Sequence, residues 1–274
     1  MPLKWNVLLR SHEIKLPWMQ AIQIYYVSTF FGLFLPATVG ADALRAIYLK
    51  KHDIAMEDAL ASIVVERVLG ALTILSFGLL CGLMFLAYFS NDPSNFTNFL
   101  MFALGFLIAL ILIFFVSLTT WFHTCFASFE NKMKDKRYIG KITTALLKVY
   151  TAYALYRDQK GAMCIFFALT IIATAMPVAW SWLVALALGV DSVELAYFCA
   201  FVPLILLMVR VPITLHGIGI NEGAFVYFLG LASVAASEAF SVGFTMHIIY
   251  LTTLLPGLVI YILKGSKYHF KADN

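Results

Sequence analysis

Charge is scarce in this sequence. Only 12% of its 274 residues are Asp, Glu, Lys or Arg, about half the share found in soluble domains. With 62% hydrophobic residues and a mean hydropathy of +0.89, that shortage excludes a soluble globular domain and points to an all-α polytopic membrane protein. Short alternating strands are missing, which excludes an outer-membrane barrel. The four cysteines, Cys81, Cys125, Cys164 and Cys199, lie within or at the ends of apolar spans, without metal-like spacing, and read as buried thiols. There is no P-loop, so ATP is not the direct energy source. No catalytic motif stands out either, so neither enzymatic activity, a cofactor, a metal nor a nucleic-acid partner is expected. Met1 to Lys15 is polar and basic with no apolar core behind it, so no signal peptide is read there.

What is present is apolar length. Stretches 68–89, 98–122, 161–188 and 239–263 each reach the roughly 20 residues that a helix needs to cross hydrocarbon. Loop charge sets their orientation, because Lys and Arg stay on the cytoplasmic side. Segment 130–160 carries Lys132, Lys134, Lys136, Arg137, Lys141, Lys148, Arg157 and Lys160, and the tail from Lys264 is also basic. Segments 90–97 and 189–194 carry Asp92, Asp191 and Glu194 and no cation, which places them outside. Both termini are then cytoplasmic in a multi-pass protein of the plasma (inner) membrane. Within the inner loop, Ile142, Leu146, Val149, Tyr153 and Tyr156 recur at helical spacing. They mark an amphipathic helix that lies either along the headgroups or on the bundle.

Parity leaves two apolar stretches that enter and return on one side. Residues 1–16 and 41–58 both look cytoplasmic, so 17–35 has to turn back at "FLPATVGADALR", with Pro36 and Gly40 as breakers. Segment 195–231 likewise turns at "VPITLHGIGINEG", with Pro212, Gly217, Gly219 and Gly223. Irregular backbone at membrane depth is tolerated only where protein or a wet cavity satisfies it. An offset of 180 residues aligns Asp42 with Glu222, Tyr48 with Phe228, Asp58-Ala59 with Glu238-Ala239 and Arg67 with His247. The units 17–89 and 195–263, joined by 98–160 within one domain of residues 1–274, therefore read as an inverted repeat with two re-entrant hairpins.

The ordered set Pro36-x-x-x-Gly40-x-Asp42-x-x-Arg45, then Glu66-Arg67, then Gly217-x-Gly219-x-x-Glu222-Gly223 resembles the lysylphosphatidylglycerol synthase transmembrane family, the flippase-like domain of the multiple peptide resistance factor. The resemblance covers nearly the whole chain. It implies an inner-membrane protein that moves a lipid, or a lipid-linked sugar or amino acid, between leaflets. Members usually carry two further helices before the segment matching Trp5 to Arg10. Two departures from the family pattern are His247, where an arginine is common, and Ala41, which stands for a glycine.

Ionisable groups at the bilayer centre are costly unless paired or wet, so each calls for a partner. Asp42 and Arg45, three apart, can pair with each other. Glu66 and Arg67 point about 100° apart on a helix and need separate partners: Asp42 or a lipid phosphate for Arg67, and Arg45 or Arg210 for Glu66. Arg210 can instead snorkel to an interface. His216 reads as a proton-linked switch or as a hydrogen-bonded loop residue. Asp42, Arg45, Glu66, Arg67, Arg210, His216, Asn221 and Glu222 are the candidate lipid-headgroup site. Glycine-rich turns and the half-helix starts after them offer amides to an anion. The expected function is a flippase-like translocase for a phospholipid or lipid-linked conjugate, with membrane lipids as partners. The alternative is an accessory or anchor subunit serving a soluble aminoacyl- or glycosyl-transferase.

Overall fold

A computed structural model describes residues 1–11, 14, 16–35, 37–52, 54–88, 94–117, 119, 124, 128, 139–210, 214 and 217–264. Among these the secondary structure is helical throughout. In chain order the helices are α1 (Pro2–Ser11), α2 (Trp18–Gly32), α3 (Ala37–Lys50), α4 (Met56–Tyr88), α5 (Ser94–Ser117), α6 (Ile139–Ala154), α7 (Lys160–Ala187), α8 (Leu195–Met208), α9 (Ile220–Leu231), α10 (Ala236–Thr252) and α11 (Leu255–Lys264).

Three described stretches are long and apolar enough to cross a membrane: Met56–Met84, Lys160–Ala187 and Ala236–Lys264. The first begins well ahead of the expected start at residue 68. Hydropathy alone ends at Glu66 and Arg67, but paired charges do not stop a helix, and Glu57 and Asp58 in its first turn suit the positive end of the helix dipole. The last expected span, 239–263, is divided at Thr253-Leu254, where Pro256 removes a backbone donor. The span expected at 98–122 begins in α5, and most of its last five residues lie outside the described ones.

Helix α4 is the axis of the molecule and packs against α1, α3, α5, α6, α7 and α8. Its Gly78 sits against Pro203 and the carbonyl of Ala200, so α4 and α8 approach closely. Helix α7 buries one stripe, Phe166, Thr170, Thr174, Val178, Ser181 and Ala185. The three hydroxyls in that stripe each donate to a carbonyl four residues back, which satisfies them inside an apolar bundle. The other face exposes Ile165, Ile172, Met176, Trp180 and Leu183, as a lipid-facing helix must. Of the two placements open to the amphipathic helix, α6 takes the packed one. Tyr153 and Tyr156 are buried against the bundle, and the Tyr156 hydroxyl donates to the Leu8 carbonyl at 3.2 Å.

Helices α2, α3, α8 and α9 are too short to cross alone. Helices α2 and α3 have 15 and 14 residues, and α8 and α9 have 14 and 12. At 1.5 Å per residue each spans about 18–22 Å, against roughly 30 Å of hydrocarbon. They form two antiparallel pairs. Gly32 meets Ala41 near the first tip, while Tyr25 lies against Arg45 farther down. In the second pair Phe201 stacks on Phe228 at 5.5 Å and meets Phe225 at 5.8 Å, and the Tyr197 hydroxyl donates to the Phe228 carbonyl at 2.7 Å. Gly40 and Gly223, expected as breakers, are instead the fourth residues of α3 and α9. The Gly223 N–H already donates to the Gly219 carbonyl at 3.0 Å, so the helix is running at that residue and does not break there. Pro36 and Pro212 lie outside the described residues.

Candidate functional site

The first turns of α3 place Asp42 and Arg45 on one face, directed at Glu66 and Arg67 of α4. Glu66 Oε2 accepts from Arg45 Nη1 at 2.6 Å. Asp42 accepts from Arg67 Nε at 2.9 Å and Nη2 at 2.8 Å, and it also accepts from Arg45 Nη2. The adjacent Glu66 and Arg67 thus take separate partners, as their angular separation requires. Lys4 of α1 approaches Glu66 Oε1 at 3.8 Å. Aromatic rings close the cluster. The Arg45 guanidinium lies 5.2 Å from the Trp5 ring centroid and 5.0 Å from that of Tyr25, and Lys4 lies 5.0 Å from that of Phe166. These cation–π contacts partly replace lost hydration. Lys4, Arg45 and Glu66 are buried, whereas the Arg67 side chain is 35% exposed and is the accessible edge.

Arg210, just beyond α8, comes to the same point. A methyl group built on Gly70 would lie 3.4 Å from Arg210 Nη1 and 3.9 Å from Lys4 Nζ. Arg210 interacts electrostatically with Arg67, Glu66, Tyr25 and Asp42, but it has no hydrogen bond or ion pair among the described residues. Among the described residues the count is therefore four cations (Lys4, Arg45, Arg67, Arg210) against two carboxylates (Asp42, Glu66). Two positive charges are left over.

A second pair stands at the other hairpin. Glu222, in the first turn of α9, reaches back to the Gly219 N–H with Oε2 at 2.6 Å, the return half of a capping box. Its Oε1 is 2.8 Å from His247 Nδ1 of α10. Asn221 donates to the Gly243 carbonyl at 2.8 Å and braces α9 on α10. The turn before α9 needs left-handed backbone at Gly217 (φ +80°) and Gly219 (φ +83°), which side chains other than glycine's disfavour. The Thr214 hydroxyl is buried without a hydrogen-bond partner among the described residues.

The candidate residues thus fall into two groups. Asp42, Arg45, Glu66 and Arg67 form one constellation with Arg210 beside it. Glu222 and Asn221 belong to the α9–α10 contact. His216 lies outside the described residues. Lys4, Trp5, Tyr25 and His247 were not among the candidates. The signal for Lys4 was the helical spacing of Trp5, Leu8 and Leu9, all buried. Among the described residues no group of three or more His, Cys, Asp or Glu could hold a metal ion.

Spans of this length around a buried charge cluster define a multi-pass helical membrane protein with a polar site inside its bundle. The chain belongs to the family described as the lysylphosphatidylglycerol synthase TM region, which matches residues 2–257. No curated protein and no solved structure matches it.

Proposed function

We propose that this protein is a translocase that moves a phosphate-bearing lipid, either a phospholipid or a lipid-linked conjugate, between the leaflets of the plasma (inner) membrane. The observation that carries this reading is the surplus, among the described residues, of two cations in a cluster enclosed by helices. Uncompensated charge at membrane depth costs several kcal/mol, and a phosphate headgroup supplies the missing anion through charge-assisted hydrogen bonds. Arg67, the exposed member, exchanges Asp42 for the phosphate. That exchange frees Asp42 to accept from an amine or a sugar hydroxyl of the same headgroup.

Internal symmetry supports an inverted repeat with re-entrant hairpins. Helix α4 begins at Met56 and α10 at Ala236, α3 ends at Lys50 and α9 at Leu231, so the 180-residue offset carries these bounds onto one another to within one residue. The offset also carries Asp42–Arg67 onto Glu222–His247, two carboxylate–cation pairs each 25 residues apart. A unit entering from the cytoplasm and its copy entering from outside give alternating access to a shared site. The family's description names the membrane region of a synthase. That favours a second reading, an anchor or accessory subunit for a soluble lipid-modifying transferase.

The test is translocation by the purified protein in vesicles carrying fluorescent phospholipids, followed by dithionite quenching of the outer leaflet. The wild type should expose inner-leaflet lipid to the quencher, and Arg67→Glu, correctly folded, should not. Equal rates in both would remove Arg67 from phosphate recognition, and no rate above protein-free vesicles would favour the anchor reading.

A further inference from the structure

We propose that Gly70 of α4 is the seat for the phosphate group of a lipid headgroup: its missing side chain lets a phosphate oxygen rest on the helix between Lys4 Nζ and Arg210 Nη1. This rests on the translocase reading above and names the atoms that hold the headgroup. A methyl group built on Gly70 lies 3.4 Å from Arg210 Nη1 and 3.9 Å from Lys4 Nζ, and it meets nothing else within 4 Å among the described residues. Two positive nitrogens from distant parts of the chain thus converge on a place where α4 carries no side chain.

Packing does not account for this glycine. Gly78 of the same helix has Pro203 Cβ at 3.0 Å, Gly243 of α10 has Phe225 Cβ at 3.0 Å, and Gly257 of α11 sits against the Tyr26 carbonyl. At each of these a side chain would press into a neighbouring helix. At Gly70 the nearest contact, at 3.4 Å, is with the far end of an arginine, so alanine fits. A methyl would also meet nothing at Gly105, Gly161, Gly223 and Gly230, but those residues are exposed, whereas Gly70 is buried. Glycine inside a helix lowers stability relative to alanine. A buried glycine that alanine could replace without a clash, set under two cations, has its reason in what the cations hold.

Both cations have donors to offer. Arg210 has no hydrogen bond or ion pair among the described residues, and no Asp or Glu lies between it and Glu222 in the sequence. Lys4 stands 3.8 Å from Glu66 Oε1, beyond hydrogen-bond length. Small rotations of these two long side chains bring both nitrogens onto an oxygen resting on the Gly70 Cα, as charge-assisted hydrogen bonds. Arg67, three residues earlier, shares that face of α4. It meets the phosphate at the accessible edge, and Gly70 seats it one turn further along the helix. A methyl at Gly70 moves the oxygen outward by about one C–C bond, roughly 1.5 Å, which takes both hydrogen bonds out of reach.

The experiment is calorimetric titration of the purified protein in detergent with dihexanoylphosphatidylglycerol, dihexanoylglycerol and inorganic phosphate, for wild type, Gly70→Ala and Gly105→Ala. Gly70→Ala keeps every cation, so only the seat changes. Its melting midpoint should rise by roughly 1–4 °C, while its affinity for dihexanoylphosphatidylglycerol should fall roughly tenfold or more, the value of one charge-assisted hydrogen bond. Gly105→Ala should bind as the wild type does, and dihexanoylglycerol, which lacks the phosphate, should not distinguish the three proteins. Equal affinity of wild type and Gly70→Ala for dihexanoylphosphatidylglycerol, or a lowered melting midpoint in Gly70→Ala, overturns the proposal. Inorganic phosphate that binds as tightly as dihexanoylphosphatidylglycerol and displaces it overturns the lipid headgroup as the ligand. In the vesicle assay, movement that Gly70→Ala leaves unchanged overturns the seat and leaves the translocase. Binding that Gly70→Ala weakens, without lipid movement by the wild type, supports the seat and overturns the translocase.

Discussion

Glutamine at Glu66 should destabilise the protein far more than its small change in shape suggests. Glu66 holds Arg45 at 2.6 Å and Lys4 at 3.8 Å, and all three side chains are almost fully enclosed. Removing one member of a buried pair strands its partner and costs about 3–5 kcal/mol. Glu66→Gln falls at the upper end, because Lys4 loses its carboxylate and Arg45 is left to share Asp42 with Arg67. Arg45→Gln falls at the lower end, since Glu66 keeps Lys4 and Asp42 keeps Arg67. In the double variant Arg45 is no longer stranded and only Lys4 is left without its carboxylate. The double variant's loss should be smaller than the sum of the two single losses by about 2 kcal/mol or more. In a chain of this size each kcal/mol moves the melting midpoint by roughly 2–4 °C, so Glu66→Gln should melt roughly 10 °C lower. Thermal unfolding in detergent, measured for the four proteins of the cycle, reads this directly. Losses that add to within about 0.5 kcal/mol would refute the coupling and, with it, the view that Glu66 and Arg45 hold α3 on α4.

Further outcomes follow from other parts of the structure. Alanine at Gly217 meets left-handed backbone and the Val209 side chain, so it should lower stability by about 1–2 kcal/mol, whereas alanine at Gly105, with open space around it, should leave the melting midpoint nearly unchanged. Cys81 of α4 and Cys199 of α8 flank the close contact of Gly78 with Ala200 and Pro203, so they should be cross-linked intramolecularly by a short bifunctional thiol reagent, and mass spectrometry finding only mono-labelled thiols would contradict the α4–α8 packing. Cysteine at Ser192 should react with an impermeant thiol reagent in intact cells and cysteine at Lys134 only after permeabilisation. Labelling of Lys134 in intact cells would overturn the inverted arrangement.

The apolar lengths were legible because hydropathy needs no partner, and three of the expected spans reappear in α4, α7 and α10–α11. Charge pairing was legible as a set of alternatives. Helical geometry forces Glu66 and Arg67 apart, and only the tertiary structure selects Arg45 for one and Asp42 for the other. Lys4 was not singled out because counting loop charge sees charge and not packing, while Trp5, Leu8 and Leu9 carry α1 into the core. The start of α4 was missed for a related reason, since hydropathy penalises Glu66 and Arg67 without regard to Arg45 and Asp42. Glu222 has a local role that spacing could have shown, the reach back to Gly219. Its partner His247 was implicit in the 180-residue offset, which aligned the same four residues that form the two pairs.

The most direct measurement compares headgroups at constant chain length. Vesicles containing the protein would carry either a fluorescent phosphatidylglycerol or a fluorescent glycosyl diacylglycerol without phosphate, with wild type and Arg210→Gln side by side. Two surplus cations predict rapid exchange of the phosphate-bearing lipid, little of the phosphate-free one, and a loss of roughly tenfold or more for Arg210→Gln, the value of one charge-assisted hydrogen bond. Equal exchange of both lipids, indifferent to Arg210, would contradict the assignment of the cluster to phosphate.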